Sequence, residues 1–359
     1  MKEPAILILR YDDLEYIDEI LSIASEAGLE VKETLTIKKI DSRCFLTPGK
    51  ILRLKYLINN NGIKKLCIYD DLKPRQVSCL LKELGIDIID RVMLILSVFQ
   101  RHAGSKEALM QIEIARLKHE IPLIRDWIKR AKTGELPGFL SLGRYAIDVY
   151  YRHIKRRISK LNKELAQMRI KRESERAKRK DLGFIHVSIV GYTNAGKTTL
   201  FNVLSNLDKP TGTEMFTTLS TKISTLKICG KTFALIDTVG FIRKIPVTII
   251  ESFKAVLEEI SYSDLILLVV DISKDEEKLL DEIHTSIEIL RTIGAIGKPI
   301  VLILNKIDLV NDNSIDKKIY SVLKNVKDKD INIIDYVPIS ALNRTNIDRV
   351  KEVLCKYAE

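Results

Sequence analysis

The chain is poor in cysteine and histidine, and neither is grouped. Cys44, Cys67, Cys79, Cys229 and Cys355 contain no C-x-x-C pair. A zinc knuckle or a disulfide framework is therefore not expected, and a reducing compartment fits. The five histidines lack ligand spacing, which removes a metal centre legible from sequence. Long apolar runs are missing too. The best stretch, Leu265 to Val270, is bounded by Asp264 and Asp271 and has the length of a strand, so no transmembrane helix is expected. The opening MKEPAILILRYDD carries acids after a very short apolar run. It lacks a cleavable signal pattern, and the cytoplasm is the expected location. Acidic charge is scarce in one place. Residues 91–180 hold 23 Lys and Arg against 9 Asp and Glu, whereas residues 1–90 sum to −1 and residues 181–359 to −2, within a total of +11. A one-signed excess of this kind suits a polyanion, nucleic acid first and an acidic membrane second.

What is present is enough for real cores: 46% hydrophobic residues over 359 positions, a length that suggests about two or three domains. Residues 1–90 alternate strand and helix signals. Strands are predicted at Ile6–Leu9, Val31–Ile40, Lys65–Tyr69 and Ile86–Ile89. Helices are predicted at Asp13–Ala27, Pro48–Ile58 and Pro74–Leu84. The pattern implies a small, mostly parallel α/β domain. In residues 91–180 two apolar stripes run in 4,3 steps, from Met110 to Ala131 and from Ile147 to Met168, with Pro137-Gly138 between them. They read as an antiparallel helical hairpin, with Pro122 expected to kink or interrupt its first helix. Arg152, Lys155, Arg156, Arg157, Lys160 and Lys163 fall between the stripe positions and are the candidate RNA-binding face. The charged run Arg169–Asp181 reads as a helix end or linker. Residues 181–359 alternate β and α again, as a third, C-terminal domain.

The strongest stretch runs from Phe184 to Leu204. An apolar, β-branched strand leads into Gly191-Tyr192-Thr193-Asn194-Ala195-Gly196-Lys197-Thr198, and Thr199 and Leu200 begin a helix. This is G-x-x-x-x-G-K-T in a strand–loop–helix context, the signature of a nucleoside triphosphate cradle. Two glycines let backbone amides turn inward on phosphate, and the helix N-terminus adds its dipole. Lys197 supplies charge to the outer phosphates, and the Thr198 hydroxyl is a candidate magnesium ligand.

Three later segments complete the chemistry. Asp237-Thr238-Val239-Gly240 ends a strand: Asp237 can hold magnesium, and Gly240 lets the backbone approach the γ-phosphate. Asn305-Lys306-Ile307-Asp308 follows the strand Ile300–Leu304. A carboxylate at Asp308 can accept from the ring N–H and exocyclic amine of guanine, a donor pair that adenine lacks. Asn305 would brace the loop and touch the base, and the Lys306 stem would cover the ring. Ser340-Ala341-Leu342 offers backbone amides for the guanine carbonyl oxygen. Together these elements resemble the Ras-like GTPase domain of translation-factor-related proteins. The resemblance implies a switch threonine, Thr217 or Thr218 with Thr218 preferred, ligating magnesium beside the γ-phosphate. There are two departures from Ras. Phe241 stands where a water-orienting glutamine is usual, so slow basal hydrolysis is expected. Asn194 sits where related GTPases use asparagine to help hold potassium, making K+ a second candidate ion besides Mg2+.

The match narrows further. G-Y-T-N-A-G-K-T-T-L-F-N with Asp237-Thr238-Val239-Gly240-Phe241-Ile242-Arg243 resembles the HflX family. So do Tyr69–Gln76, Ile89-Asp90-Arg91 and Gln111–Leu117 upstream. The resemblance implies an α/β subdomain (1–90), a basic helical hairpin (91–180) and a C-terminal GTPase domain (181–359). It also implies a GTP- and GDP-binding protein that contacts the large ribosomal subunit and its rRNA, with a role in ribosome splitting or rescue; a monomer is the default expectation, not something the resemblance implies. The loop Leu136–Asp148 lacks the family's Gly-Glu signature, which leaves open binding without splitting or splitting through other contacts. Two other readings remain. A tRNA-modification GTPase of the MnmE type needs a C-x-G-K cysteine, where this chain has Cys355-Lys356-Tyr357-Ala358-Glu359. A guanine-nucleotide sensor would bind RNA or membrane with incidental hydrolysis.

Overall fold

The computed structural model describes residues 2–133, 143–206, 222–244, 246, 249, 257–325 and 331–358. Thr217, Thr218 and the Pro137-Gly138 turn lie outside them. The chain forms two compact units, Met1–Arg101 with Leu109–Ala166, and His102–Ala108 with Gln167–Glu359.

In the first unit, β1 (Glu3–Arg10), β2 (Leu29–Ile37), β3 (Lys65–Ile68) and β4 (Asp87–Asp90) form an all-parallel sheet in the order β2-β1-β3-β4. Parallel neighbours need crossovers, and the helices α1 (Ile17–Glu26), α2 (Pro48–Asn61) and α3 (Pro74–Leu84) supply them. Both α2 and α3 start on a proline, whose missing N–H has no partner to lose there. They stop at Gly62 and Gly85, with φ of 60° and 65°. Leucines and isoleucines from these strands and helices, Ile8, Leu54, Leu66 and Leu80 among them, close the core. The helix predicted over Asp13–Ala27 begins as a 3-10 turn (Tyr11–Tyr16), a tightening common at helix starts. A further helix, α4 (Arg91–His102), follows β4.

The hairpin consists of α5 (Lys106–Thr133) and α6 (Gly143–Asp181). Glu113 meets Arg157 and Arg125 meets Tyr151, so the helices run antiparallel. Ile124, Ile147 and Ile154 form the buried seam between them. Pro122 does not interrupt α5, one of the two outcomes expected of it. Its lost hydrogen bond is local, whereas Ile121, Ile124 and Ile128 on either side are held by the seam. Arg169–Asp181 is helical rather than a free linker. Within the second unit Arg172 pairs with Glu107 at 2.9 Å and Arg176 with Glu259 at 2.5 Å.

The second unit has a six-stranded sheet in the order β10-β9-β8-β5-β7-β6. Its strands are β5 (Ile185–Gly191), β6 (Lys222–Ile228), β7 (Lys231–Asp237), β8 (Leu265–Asp271), β9 (Pro299–Asn305) and β10 (Asn332–Pro338). Among the described strand pairs only β6–β7 is antiparallel; its two-residue turn, Cys229-Gly230, takes φ of 51° and 70°. Positive φ at both positions matches the right-handed twist of a hairpin. After α6, the unit's longer described helices are α7 (Lys197–Leu204), α8 (Glu276–Thr292), α9 (Asp312–Asn325) and α10 (Ile347–Tyr357). Every residue of β8 is buried, as a central parallel strand requires.

The cysteines correct the reading from sequence. Cys44 is bonded to Cys79 and Cys229 to Cys355, with Cα–Cα distances of 5.2 and 5.9 Å, while Cys67 is free and buried. Partners 35 and 126 positions apart leave no local spacing signal. Only the fold brings them within bridging distance. Burial pushes the Cys67 thiol up to about 12, so it is a poor nucleophile for exchange. Each bridge is expected to stabilise its unit by about 2–4 kcal/mol. Dithiothreitol should then lower the melting temperature, and alkylation of the denatured, unreduced chain should label one cysteine. Five labelled cysteines before reduction would refute the pairing.

Candidate functional site

The loops that follow β5, β7, β9 and β10 meet at one end of the second sheet. The carboxyl ends of parallel strands are where α/β folds bind ligands. Gly191 closes β5 in register with Val269 of β8 and has a φ of 144°. A Cβ there would stand 2.1 Å from the Val269 carbonyl oxygen, so only glycine lets the loop leave the sheet here. Asn194 follows at φ 61° and is exposed. Gly196, at φ 95°, caps α7, and its Cβ position is taken by the Asn305 amide nitrogen 2.1 Å away.

Asn305 is the hub of the site. Its Nδ2 donates to the Ala195 carbonyl at 2.8 Å, and its Oδ1 accepts from the Ala341 amide at 2.9 Å. One buried side chain thus ties the phosphate loop, the Asn305–Asp308 loop and the Ser340–Leu342 loop together. The Ile307 amide also donates to the Ile339 carbonyl at 3.2 Å. Lys306 takes a left-handed backbone at φ 68°, and its Nζ donates to Asp271 Oδ2 at 2.7 Å. Asp271 was not singled out from sequence. Its signal was available, a carboxylate at the end of the strand Leu265–Val270. Asp308 and Leu342 are exposed, while Ser340 and Ala341 are buried. The Ser340 hydroxyl accepts from the Asn343 amide at 3.1 Å, shaping the third loop.

On the phosphate side, the Thr198 hydroxyl donates to Asp237 Oδ2 at 3.0 Å. A hydroxyl beside a fully buried carboxylate is a hard-oxygen pair that suits magnesium. Thr199 stands next in α7. The Lys197 ammonium is buried and donates to the Tyr192 carbonyl at 2.6 Å. Burial draws its pKa down to about 8, against the pull of Asp237 and Glu282. A bound phosphate favours the charged form. At Lys197, GDP binding should therefore take up most of a proton at pH 8.5 and almost none at pH 6.5, once the proton released by the nucleotide's own terminal phosphate is subtracted, as calorimetry in buffers of different ionisation enthalpy would show. No uptake at pH 8.5 would mean the ammonium is already charged there.

Phe241 stands where the resemblance places a glutamine, and its side chain is in the core. Its amide donates to the Gly191 carbonyl at 3.0 Å, and its carbonyl accepts from the Thr193 amide at 2.7 Å. This docking brings Gly240 close to Lys197: a Cβ on Gly240 would be 3.0 Å from the Lys197 Nζ. Arg243 pairs with Asp281 of α8 at 3.4 Å. On α6, Arg152, Lys155, Arg156, Lys160 and Lys163 are exposed, and their spacing keeps them on one side of the helix. Arg157 differs. Its guanidinium forks onto Glu113 at 2.6 and 2.8 Å, so its charge is matched within the hairpin.

Comparison with known proteins agrees with this geometry. Three family models match: "GTP-binding GTPase N-terminal" over residues 14–100, "GTP-binding GTPase Middle Region" over 102–179 and "50S ribosome-binding GTPase" over 186–306. The GTPase HflX of Hyperthermus butylicus is 43% identical over 88% of this chain and 85% of its own length. The chain belongs to the HflX family of GTPases. The HflX of Saccharolobus solfataricus is 38% identical over 100% of this chain and 99% of its own. Among solved structures, the SsGBP–GDP complex is similar with a TM-score of 0.58 at 35% identity, covering 99% of this chain and 98% of that one. A GTP-binding protein from Sulfolobus solfataricus in complex with GDP covers the same shares at 34% identity and a TM-score of 0.53. As an HflX-type protein the chain is a GTPase. No described helix is long and apolar enough to cross a membrane.

Proposed function

We propose that this HflX GTPase is a nucleotide-controlled switch that binds the large ribosomal subunit through the basic face of α6. The observation that carries the proposal is the row of exposed cations Arg152, Lys155, Arg156, Lys160 and Lys163, which outnumber the two acids at helical spacing to them, Asp148 and Glu164. The "50S ribosome-binding GTPase" family model over residues 186–306 supports it. The family's usual rescue or splitting role is the finer proposal, and the cytoplasm is the compartment it requires.

The site supports the following roles. Gly191 to Thr199 cradle the phosphates, with Lys197 pairing the outer ones. Asp308 selects guanine, Asn305 braces the three loops, Lys306 covers the base, and Ser340 to Leu342 meet the guanine carbonyl. Thr198 and Asp237 would hold magnesium, which would supply positive charge to the outer phosphates. Thr218 would join them. Asn194, exposed in the loop, would be the residue to help hold potassium. In this reading a γ-phosphate reaching Lys197 engages the Gly240 amide beside it and, by displacement of that residue, loosens the Phe241 hydrogen bonds to Gly191 and Thr193. That displacement is the switch. With Phe241 buried, no side chain at that position orients water, so hydrolysis is slow until a partner assists. The same burial favours a second reading, a sensor of guanine nucleotide whose hydrolysis is incidental.

Co-sedimentation with isolated large subunits tests the proposal. A non-hydrolysable GTP analogue should retain at least about tenfold more protein than GDP, about 1.4 kcal/mol of differential affinity. With five phosphate contacts, log affinity should fall with log salt at a slope of roughly −4. Equal retention with both nucleotides, or binding indifferent to salt, would sink the ribosome-switch reading. Single-turnover hydrolysis that large subunits fail to accelerate would favour the sensor.

A further inference from the structure

The first unit contains a cavity of about 540 Å³ that the nucleotide site does not use. That volume lies within the usual range of small-molecule sites. Most of its wall is apolar: Pro74 and Val77 come from α3, Ile88 from β4, and Leu123 and Trp127 from α5. The indole is fixed in place. Its Nε1 donates to Ser78 Oγ at 3.2 Å, and that hydroxyl donates to Asp126 at 3.2 Å. The wall is thus preformed, as ligand sites usually are.

The polar part of the lining is mainly acidic, and its one described basic group, His119, is paired with Asp90, which, against the effect of burial, raises the imidazole pKa. Asp87, Asp90 and Glu120 face the cavity with His119 and Tyr150. Asp90 is satisfied by His119 at 2.7 Å and by the Met93 amide at 2.9 Å. Glu120 is held from behind by Arg116 at 3.1 Å. Asp87 is exposed. Among the described residues no lysine or arginine lines the cavity, although residues 91–180 hold 23 of them. A phosphate or carboxylate entering beside Asp87 and Glu120 would meet like charge. A cation would meet carboxylates at its head and aromatic faces along its body, an arrangement that attracts organic ammonium groups.

We propose that this cavity is a second ligand site, selective for a small organic cation: a protonated amine on an apolar or aromatic body. The ammonium group sits against Asp87 and Glu120, and the body lies on Trp127, Leu123 and Val77. The site is independent of the guanine-nucleotide and ribosome readings.

Trp127 is the only tryptophan in the chain, so its fluorescence reports occupancy directly. The full chain is titrated with 4-phenylbutylamine, 4-phenylbutanol and 4-phenylbutyrate, which share a body and differ in charge. The amine should give a saturable change with a dissociation constant below about 1 mM, the alcohol should bind at least about fivefold more weakly, and the acid should give none. Asp87→Asn, at an exposed position, should weaken the amine about fivefold and leave both the alcohol and GTP hydrolysis unchanged. Failure of the amine to saturate, equal binding of amine and alcohol, or indifference to Asp87→Asn in a variant with unchanged circular dichroism would each overturn the proposal.

Discussion

Asp308→Asn is expected to lower affinity for GDP and GTP by about 10²- to 10³-fold and to shift preference towards xanthine nucleotides. The carboxylate accepts two hydrogen bonds from the guanine edge, and bonds to a charged group contribute roughly 1.5–3 kcal/mol each. An asparagine keeps one acceptor and offers a donor in place of the other. That donor faces a guanine N–H unfavourably and a xanthine carbonyl favourably. The scaffold should survive, because Asp308 is exposed and the loop is held by Asn305 and by Lys306 on Asp271. Competition binding of GDP against XDP measures the change. An unaltered GDP affinity would show that Asp308 does not read the base. Equal binding of ATP and GTP by the wild-type chain would show the same.

The second large effect is expected at Gly191. An alanine there places its Cβ 2.1 Å from the Val269 carbonyl oxygen, and that oxygen belongs to the backbone of the central strand β8. Backbone cannot rotate away as a side chain can, so the strands must part or the loop must shift. Overpacking costs about 1–3 kcal/mol and a strained positive φ about as much again, together about 2–6 kcal/mol. For a unit of this size that lowers the melting temperature by about 10 °C. GDP binding should fall with it, because the loop amides no longer converge. Thermal denaturation with and without GDP checks both. A variant that melts within about 2–3 °C of the parent, a shift worth only about 1 kcal/mol, would show that the loop leaves the sheet more freely than the geometry implies.

Much of this site was legible in one dimension because its chemistry is local. Gly191 to Thr198 must be contiguous for amides to surround a phosphate, and Asn305 to Asp308 for one loop to face one base. Helix limits at Pro48, Pro74 and Gly85 were legible for the same reason, since caps act over one turn. Asn305 was readable only in part. Its loop was evident, but its bonds to Ala195 and Ala341 span 110 and 36 positions. Asp271 went unnoticed because its partner, Lys306, is 35 residues away. Arg157 looked like one more outward cation until α5 brought Glu113 beside it.

The amino-acid sequence by itself determined the nucleotide, the alternation of strand and helix and the position of the basic stripe, since each depends on neighbours within about one turn or one loop. Tertiary structure alone decided the rest. It paired Cys44 with Cys79 and Cys229 with Cys355, carried α5 through Pro122, and buried Phe241 against the phosphate loop. It also gathered acids and a single indole around one cavity. Those outcomes depend on which distant residues share a core, and composition and periodicity do not encode that.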